Sequence, residues 1–166
     1  MGASSCSLTV RCDLLPMSSP SDRAAAKTLQ QVGALPFRRV PTGVQVLLVT
    51  SRGTKRWVIP KGNPIKGLKA HKAAAQEAFE EAGVKGRPKK EKAGTYSYWK
   101  RLQTTFALCE VDVFPLVVEE VKDEWPEKGQ RERRWFDPQV AANLVDEPGL
   151  ATVLRAFANN APVRTI

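Results

Sequence analysis

Three glutamates, Glu77, Glu80 and Glu81, fall within five positions of one another in the stretch WVIPKGNPIKGLKAHKAAAQEAFEEAGVKG, residues 57–86. In a helix, residues three and four apart share a face, so these spacings would project all three carboxylates together. Like charges so placed destabilise a helix by roughly 0.2–0.5 kcal/mol per pair. Near a helix C-terminus the macrodipole opposes them as well. On its own such a group reads as a solvated acidic patch. It becomes favourable if a hard divalent cation such as Mg²⁺ sits among the oxygens.

The surrounding elements can position such a site. Lys69 to Ala82 has helical composition, with Ala at 70, 73, 74, 75, 78 and 82, and Gly83 is a natural stop. Ala74, Ala78 and Ala82 form a narrow stripe that suits close packing on a sheet. Between Pro60 and Gly67, two prolines and two glycines make a loop able to bring backbone carbonyls to the helix. Upstream, QVGALPFRRV reads as a strand, with Pro36 arguing for an edge or a bulge. VQVLLVTS and RWVIP follow as a buried and a short strand. Downstream, the basic run KGRPKKEK at 85–92 reads as a solvated loop. GTYSYW and LQTTFALCEVDVF read as a hairpin turning near Lys100 and Arg101, with PLVVEEV a candidate extension of the sheet. RERRWF is a last short strand. Asp137-Pro138 is an N-cap followed by a first-turn proline, opening the helix PQVAANLV. EPGLATVLRAFA closes the domain as a second helix. Strands on both sides of one central helix predict a mixed α/β (α+β) fold, with a helix packed on a sheet.

Composition narrows the partners. The 166-residue chain carries 26 Lys and Arg against 17 Asp and Glu, a net charge of +9. That balance suits nucleic acid, a membrane surface or a polyphosphate. No apolar run approaches the ~18 residues of a membrane span. Three cysteines, with no CxxC pair, argue against disulfide and zinc frameworks, and Cys109 reads as a core residue. The N-terminal stretch lacks the continuous apolar segment of a signal peptide, so a soluble, cytoplasmic protein is expected. Tyr96, Tyr98 and Trp99 beside Lys100 and Arg101 are the one aromatic and basic run. It would serve nucleic-acid binding, yet the alternation equally fits a hairpin. Nucleic acid is therefore a partner the charge permits and the sequence does not favour, and nothing specifies an oligomer.

Counted from Gly62, the chain places Glu77, Glu80-Glu81, Gly83 and Val84 in register with the 23-residue box of the Nudix hydrolases, which it resembles. The likeness extends over about residues 30–158. VLLVTSRGTKRWVIPKG, EEAGVKG and QRERRWF look like the diphosphoinositol polyphosphate phosphohydrolase branch. Two box positions depart: Leu68 stands where the box has Glu, and Gln76 where it has Arg. In the family that pair steadies the catalytic helix; here both members are absent together, which leaves no stranded charge.

The resemblance implies a Nudix-type mixed sheet sandwiched between helices. It implies an Mg²⁺-dependent pyrophosphohydrolase, with Mn²⁺ a possible substitute. Metal ligands would be Glu77, Glu80, Glu81 and the Gly62 carbonyl, and Glu77 or Glu81 would take the proton of the attacking water. The substrate would be a nucleoside diphosphate-linked compound or a related polyphosphate, of dinucleoside or diphosphoinositol type. Arg52, Lys55, Arg56, Lys61, Arg131 and Arg133 would hold its phosphates, since Arg binds phosphate oxygens in bidentate fashion. Some family members draw a further carboxylate from just before Trp-Phe; Arg134 fills that place here, which leaves Glu132 as the candidate. His71, the single histidine, reads as a surface residue. The other reading is a non-catalytic Nudix-fold module that binds a ligand or RNA as a regulator. Residues 1–28 are expected to be a flexible extension, 29–160 the domain and 161–166 a tail.

Overall fold

The computed structural model describes residues 28–160. The expected N-terminal extension, with its candidate strand LTVRCDLL, and the expected tail lie outside the described residues. Eight strands form one mixed sheet: β1 (Leu29–Val40), β2 (Gly43–Thr50), β3 (Trp57–Val58), β4 (Lys61–Gly62), β5 (Val84–Pro88), β6 (Gly94–Arg101), β7 (Phe106–Val121) and β8 (Arg133–Phe136). Helices α1 (Ala70–Ala82), α2 (Pro138–Leu144) and α3 (Pro148–Asn160) complete the described chain. The main path runs β3-β2-β1-β7-β5; β4 joins β1, β6 joins β7 and β8 joins β2. β1 and β7 run parallel; the other named pairs are antiparallel.

Strand alternation sorts the side chains onto two faces. Leu35 and Phe37 of β1, Val46 and Leu48 of β2, and Val111 and Val113 of β7 pack with α2 and α3. Their neighbours Val32, Ala34, Leu47, Val49, Phe114 and Leu116 pack with Ala73, Ala74, Ala78 and Ala82 of α1. The sheet is thus sandwiched between helices, as expected. The alanine stripe lets α1 lie close, so its ordinary polar face meets the loop at Gly62. Asp137 caps α2 by accepting from the backbone N–H of Gln139 and Val140.

Two local readings are corrected. KGRPKKEK is not simply a solvated loop: Val84–Pro88 form β5 on the long strand β7, with a register shift between Lys85 and Gly86. Its exposed Lys85 and Arg87 hid a strand whose alternate residues face inward. Pro36 does not mark a sheet edge, because β1 is an interior strand. The Ala34 N–H points away from β7, to the Pro60 carbonyl. By alternation the missing Pro36 donor faces the same side. There it falls between the β4 pairing at Val32 and Gly33 and the β2 pairing that starts at Phe37, so no ladder bond is lost.

Candidate functional site

Helix α1 ends where the sequence placed its stop. Gly83 adopts φ +65, and its N–H closes the last turn on the Phe79 carbonyl. A Cβ at this residue would also stand 2.7 Å from an Arg133 nitrogen and 2.8 Å from the Trp125 ring. The last turn carries no basic residue of its own. Arg133 supplies the cation from β8: its guanidinium donates to the Ala82 carbonyl at 2.7 Å and the Lys122 carbonyl at 2.8 Å. It also stacks 4.0 Å over Trp125. The dipole that opposes three glutamates is thereby met by an arginine from elsewhere in the fold.

The three carboxylates share a face and then fan out. Glu77 lies against Gly62, so closely that a Cβ on residue 62 would overlap its carboxylate. Only glycine lets the loop approach the helix this way. Glu80 accepts from Gln76 Nε2 at 2.8 Å; the residue replacing the family's arginine thus turns along the helix, while Leu68 is exposed. Glu81 is buried. Its Oε1 accepts from Arg131 Nη2 at 2.6 Å, and its Oε2 from the Lys61 backbone N–H at 3.3 Å.

A fourth carboxylate escaped the sequence reading. Glu127, on the loop between β7 and β8, accepts from Arg131 Nε, and its backbone N–H donates to the Glu80 carbonyl at 3.1 Å. Arg52 approaches it at 3.8 Å. Glu127 lies 46 positions beyond Glu81 and outside any motif, so only the segment DEWPE, acidic with an aromatic and a proline, hinted at an ordered loop. Glu132 is exposed, whereas Arg131 and Arg133 on either side are half-buried. Strand alternation therefore turns Glu132 away from the cluster.

Burial governs the electrostatics. Desolvation raises the Glu81 carboxyl to about 7; Arg131 and Lys61 pull it down, and Glu127 and Glu77 push it up further. The 2.6 Å ion pair thus does not outweigh the loss of water. Glu77 is raised too, by desolvation first and then by Glu80 and Glu127. Lys61 is lowered by burial, with Glu81 and Glu147 opposing the shift.

Of the predicted basic residues, Arg52, Lys61 and Arg131 gather at the carboxylates. Arg131 also donates to the Thr50 carbonyl. Lys55, with φ 55, donates to the Gln130 carbonyl at 2.9 Å. Arg56 turns to Asp146 and Glu147, at 3.5 and 3.4 Å. His71 lies half-buried near the Phe114 ring, and Cys109 is a free, buried thiol.

The donor set is all oxygen, which suits a hard divalent ion. Among the described residues no three Asp, Glu, His or Cys side chains already converge as a coordination shell. Instead the Arg131 guanidinium bridges Glu81 and Glu127, a fixed positive charge where the carboxylates call for one. The residues fit a cation by the chemistry of their oxygens and by the helix face that Glu77, Glu80 and Glu81 share.

The NUDIX domain model matches residues 28–157, and the chain belongs to the Nudix family. Among curated relatives it is 31% identical to Nudix hydrolase 21, chloroplastic, of Arabidopsis thaliana, over 78% of this chain and 66% of that protein. It is 28% identical to diphosphoinositol polyphosphate phosphohydrolase 3-beta of Bos taurus, over 70% of this chain and 68% of that one. The chain spans 58% to 66% of the length of the first four Arabidopsis relatives it matches. A solved C. elegans Ap4A hydrolase shares the fold, with a TM-score of 0.58 and 17% identity over 80% of this chain and 98% of that one. No helix among the described residues is long and apolar enough to cross a membrane.

Proposed function

We propose that the chain is an Mg²⁺-dependent pyrophosphohydrolase, able to use Mn²⁺. It would cleave a phosphoanhydride bond in a nucleoside diphosphate-linked compound or a related polyphosphate, of dinucleoside or diphosphoinositol type. The observation that carries this reading is the burial of Glu81 beside Glu77 and Gly62, in a group whose proton affinity is raised by desolvation first and by neighbouring carboxylates after it. Glu77, Glu80, Glu81 and the Gly62 carbonyl would hold the ion. When bound it supplies Lewis acidity toward a phosphoryl oxygen and a water of lowered pKa.

The chain's own groups do the rest. Glu81 Oε2, held by one long N–H contact, is the oxygen best placed to take the proton of the attacking water. Glu77, half-buried, is the other candidate base. Lys61, Arg52, Lys55 and Arg56 would bind and orient the phosphates. Arg131 and Arg133 would act as charges behind the site, because the carboxylates and the end of α1 already occupy their nitrogens. The free Cys109 thiol suits a reducing compartment, and we take the cytoplasm as the location. Imaging of a tagged full chain in an organelle would overturn that point.

A phosphate-release screen with Mg²⁺ across dinucleoside polyphosphates, diphosphoinositol polyphosphates, nucleotide sugars and capped RNA tests the activity. Metal-dependent release from one class is expected, and no release from any would overturn the reading. One observation favours the regulator alternative: Arg131 already neutralises Glu81 and Glu127. Tight binding of one of these ligands without turnover would establish that alternative.

A further inference from the structure

The aromatic and basic run YSYWKR leads into the tip of the β6–β7 hairpin, and strand alternation divides it. Tyr96 is buried, and the Tyr98 hydroxyl donates to Gln31 at 2.7 Å, so both belong to the body of the fold. Every residue from Trp99 to Phe106 is exposed. Trp99 pairs with Leu108 and Arg101 with Phe106, which puts the Trp99 and Phe106 rings in diagonal positions on one face. The Leu102 N–H closes the turn on the Thr105 carbonyl at 2.8 Å. The β1 pairing with β7 begins at Cys109, so among the described strands only β6 accompanies β7 at the tip.

Two features of this tip do nothing to hold the fold. Three large apolar side chains stand in water together: Trp99 is 64% exposed, Phe106 62% and Leu102 40%. One exposed apolar residue is ordinary, whereas a group of them marks a contact surface. The charge is one-sided as well. No Asp or Glu occurs between Lys92 and Cys109, and Lys100 and Arg101 enter no ion pair among the described residues. Cations elsewhere on these strands are matched, Arg87 by Glu119 and Lys92 by Asp112.

An acidic surface with an apolar layer beneath it answers both features. We infer that the β6–β7 tip is a docking surface for an anionic lipid bilayer. Indole rings settle at the headgroup level of a bilayer, and Phe106 and Leu102 would reach the acyl boundary with Trp99. Cations beside such a group are drawn to acidic headgroups. The contact is peripheral and reversible, and it requires no spanning segment. A single-stranded nucleic acid fits less well, because it binds along a groove whose positive charge tracks its backbone. Here two cations stand at a tip, and Leu102 adds nothing to a base stack. The inference is independent of the hydrolase reading, since the tip holds none of the residues assigned to the metal or the phosphates.

Flotation of the full chain with vesicles tests this, using phosphatidylcholine alone and an equal mixture of phosphatidylcholine and phosphatidylserine. The mixed vesicles should bind about ten-fold or more tighter. Trp99→Ala with Phe106→Ala, both exposed changes that leave the core untouched, should weaken that binding by about ten-fold or more. Lys100→Gln with Arg101→Gln should weaken it by about twenty-fold. Lys89→Gln with Lys90→Gln makes the same change of charge at exposed positions on the β5–β6 loop, and should stay within about two-fold of the unaltered chain. Tryptophan emission should shift to the blue on binding, and Trp99→Phe should remove the shift while keeping the binding. No binding to the mixed vesicles would overturn the inference. Equal losses from the two charge pairs would also overturn it, because net charge alone would then account for the attraction. Binding of a single-stranded oligouridylate that needs Trp99 and Phe106, in a chain that ignores vesicles, would give the tip to nucleic acid instead.

Discussion

Two buried glutamates each meet one arginine, and they are left wanting different things. Glu81 has both oxygens partnered, by Arg131 and by the Lys61 N–H. It nonetheless lies in a field of like charge from Glu77 and Glu127. Among the described residues, Glu147 has a single ion pair, to an exposed arginine, and one oxygen with no partner. At the first site Glu77, Glu81 and Glu127 crowd about one bridging arginine; the second lacks a hydrogen bond. A further cation answers the first. Counting carboxylates would have treated the two alike.

The comparison breaks most sharply at Glu81. Glu81→Gln should leave the circular dichroism of the fold intact and lower kcat/KM by roughly 10³-fold, the scale of losing several kcal/mol of charge stabilisation in the transition state. Full activity in this variant with Mg²⁺ would remove the cation from the account.

The arginines sharpen it next. Arg131→Ala strands Glu81 and Glu127, and should cost roughly 3–5 kcal/mol in denaturant unfolding. Arg56→Ala removes an arginine that is 42% exposed and leaves the buried Glu147 unpaired, and should cost less, about 1–3 kcal/mol. Equal losses would mean that exposure of the arginine does not separate the two sites.

The pH dependence follows from Glu81 itself. Its folded carboxyl stands at about 7 against an ordinary value of 4.5, so the folded chain holds this proton more tightly than the unfolded one. The stabilisation is present below about 4.5 and is lost as pH rises through about 7. It amounts to roughly 3 kcal/mol over that window. Metal-free thermal melts should fall across it, Glu81→Gln should flatten that fall, and Mg²⁺ should oppose it by binding the ionised form. A Glu81-independent profile would place the titration elsewhere.

The smallest effect lies at the altered support. Leu68→Glu with Gln76→Arg should be better tolerated than either change alone, with a coupling of about 0.5–1 kcal/mol in a double-mutant cycle. Zero coupling would show the two positions to be independent, as the Gln76–Glu80 bond already allows.

Local chemistry was legible in the chain itself. Helix period put Glu77, Glu80 and Glu81 on one face, Gly83 marked the end of α1, and the alanine stripe marked the face that packs. Each depends on residues a few positions apart, where backbone geometry alone fixes who meets whom. The Nudix box is a pattern of that kind, and so the family could be read from it. Only the tertiary structure decided what surrounds the box. Arg131 reaches Glu81 across 50 positions, and Arg56 reaches Asp146 across 90, because β2 pairs with β8 and the Trp57–Val145 bridge closes the far side. The place of Pro36, the strand hidden in KGRPKKEK, the carboxylate of Glu127 and the orphaned oxygen of Glu147 all depend on such pairings. Sheet register sets which distant residues become neighbours and how much water stays between them, and no local spacing in the sequence encodes that.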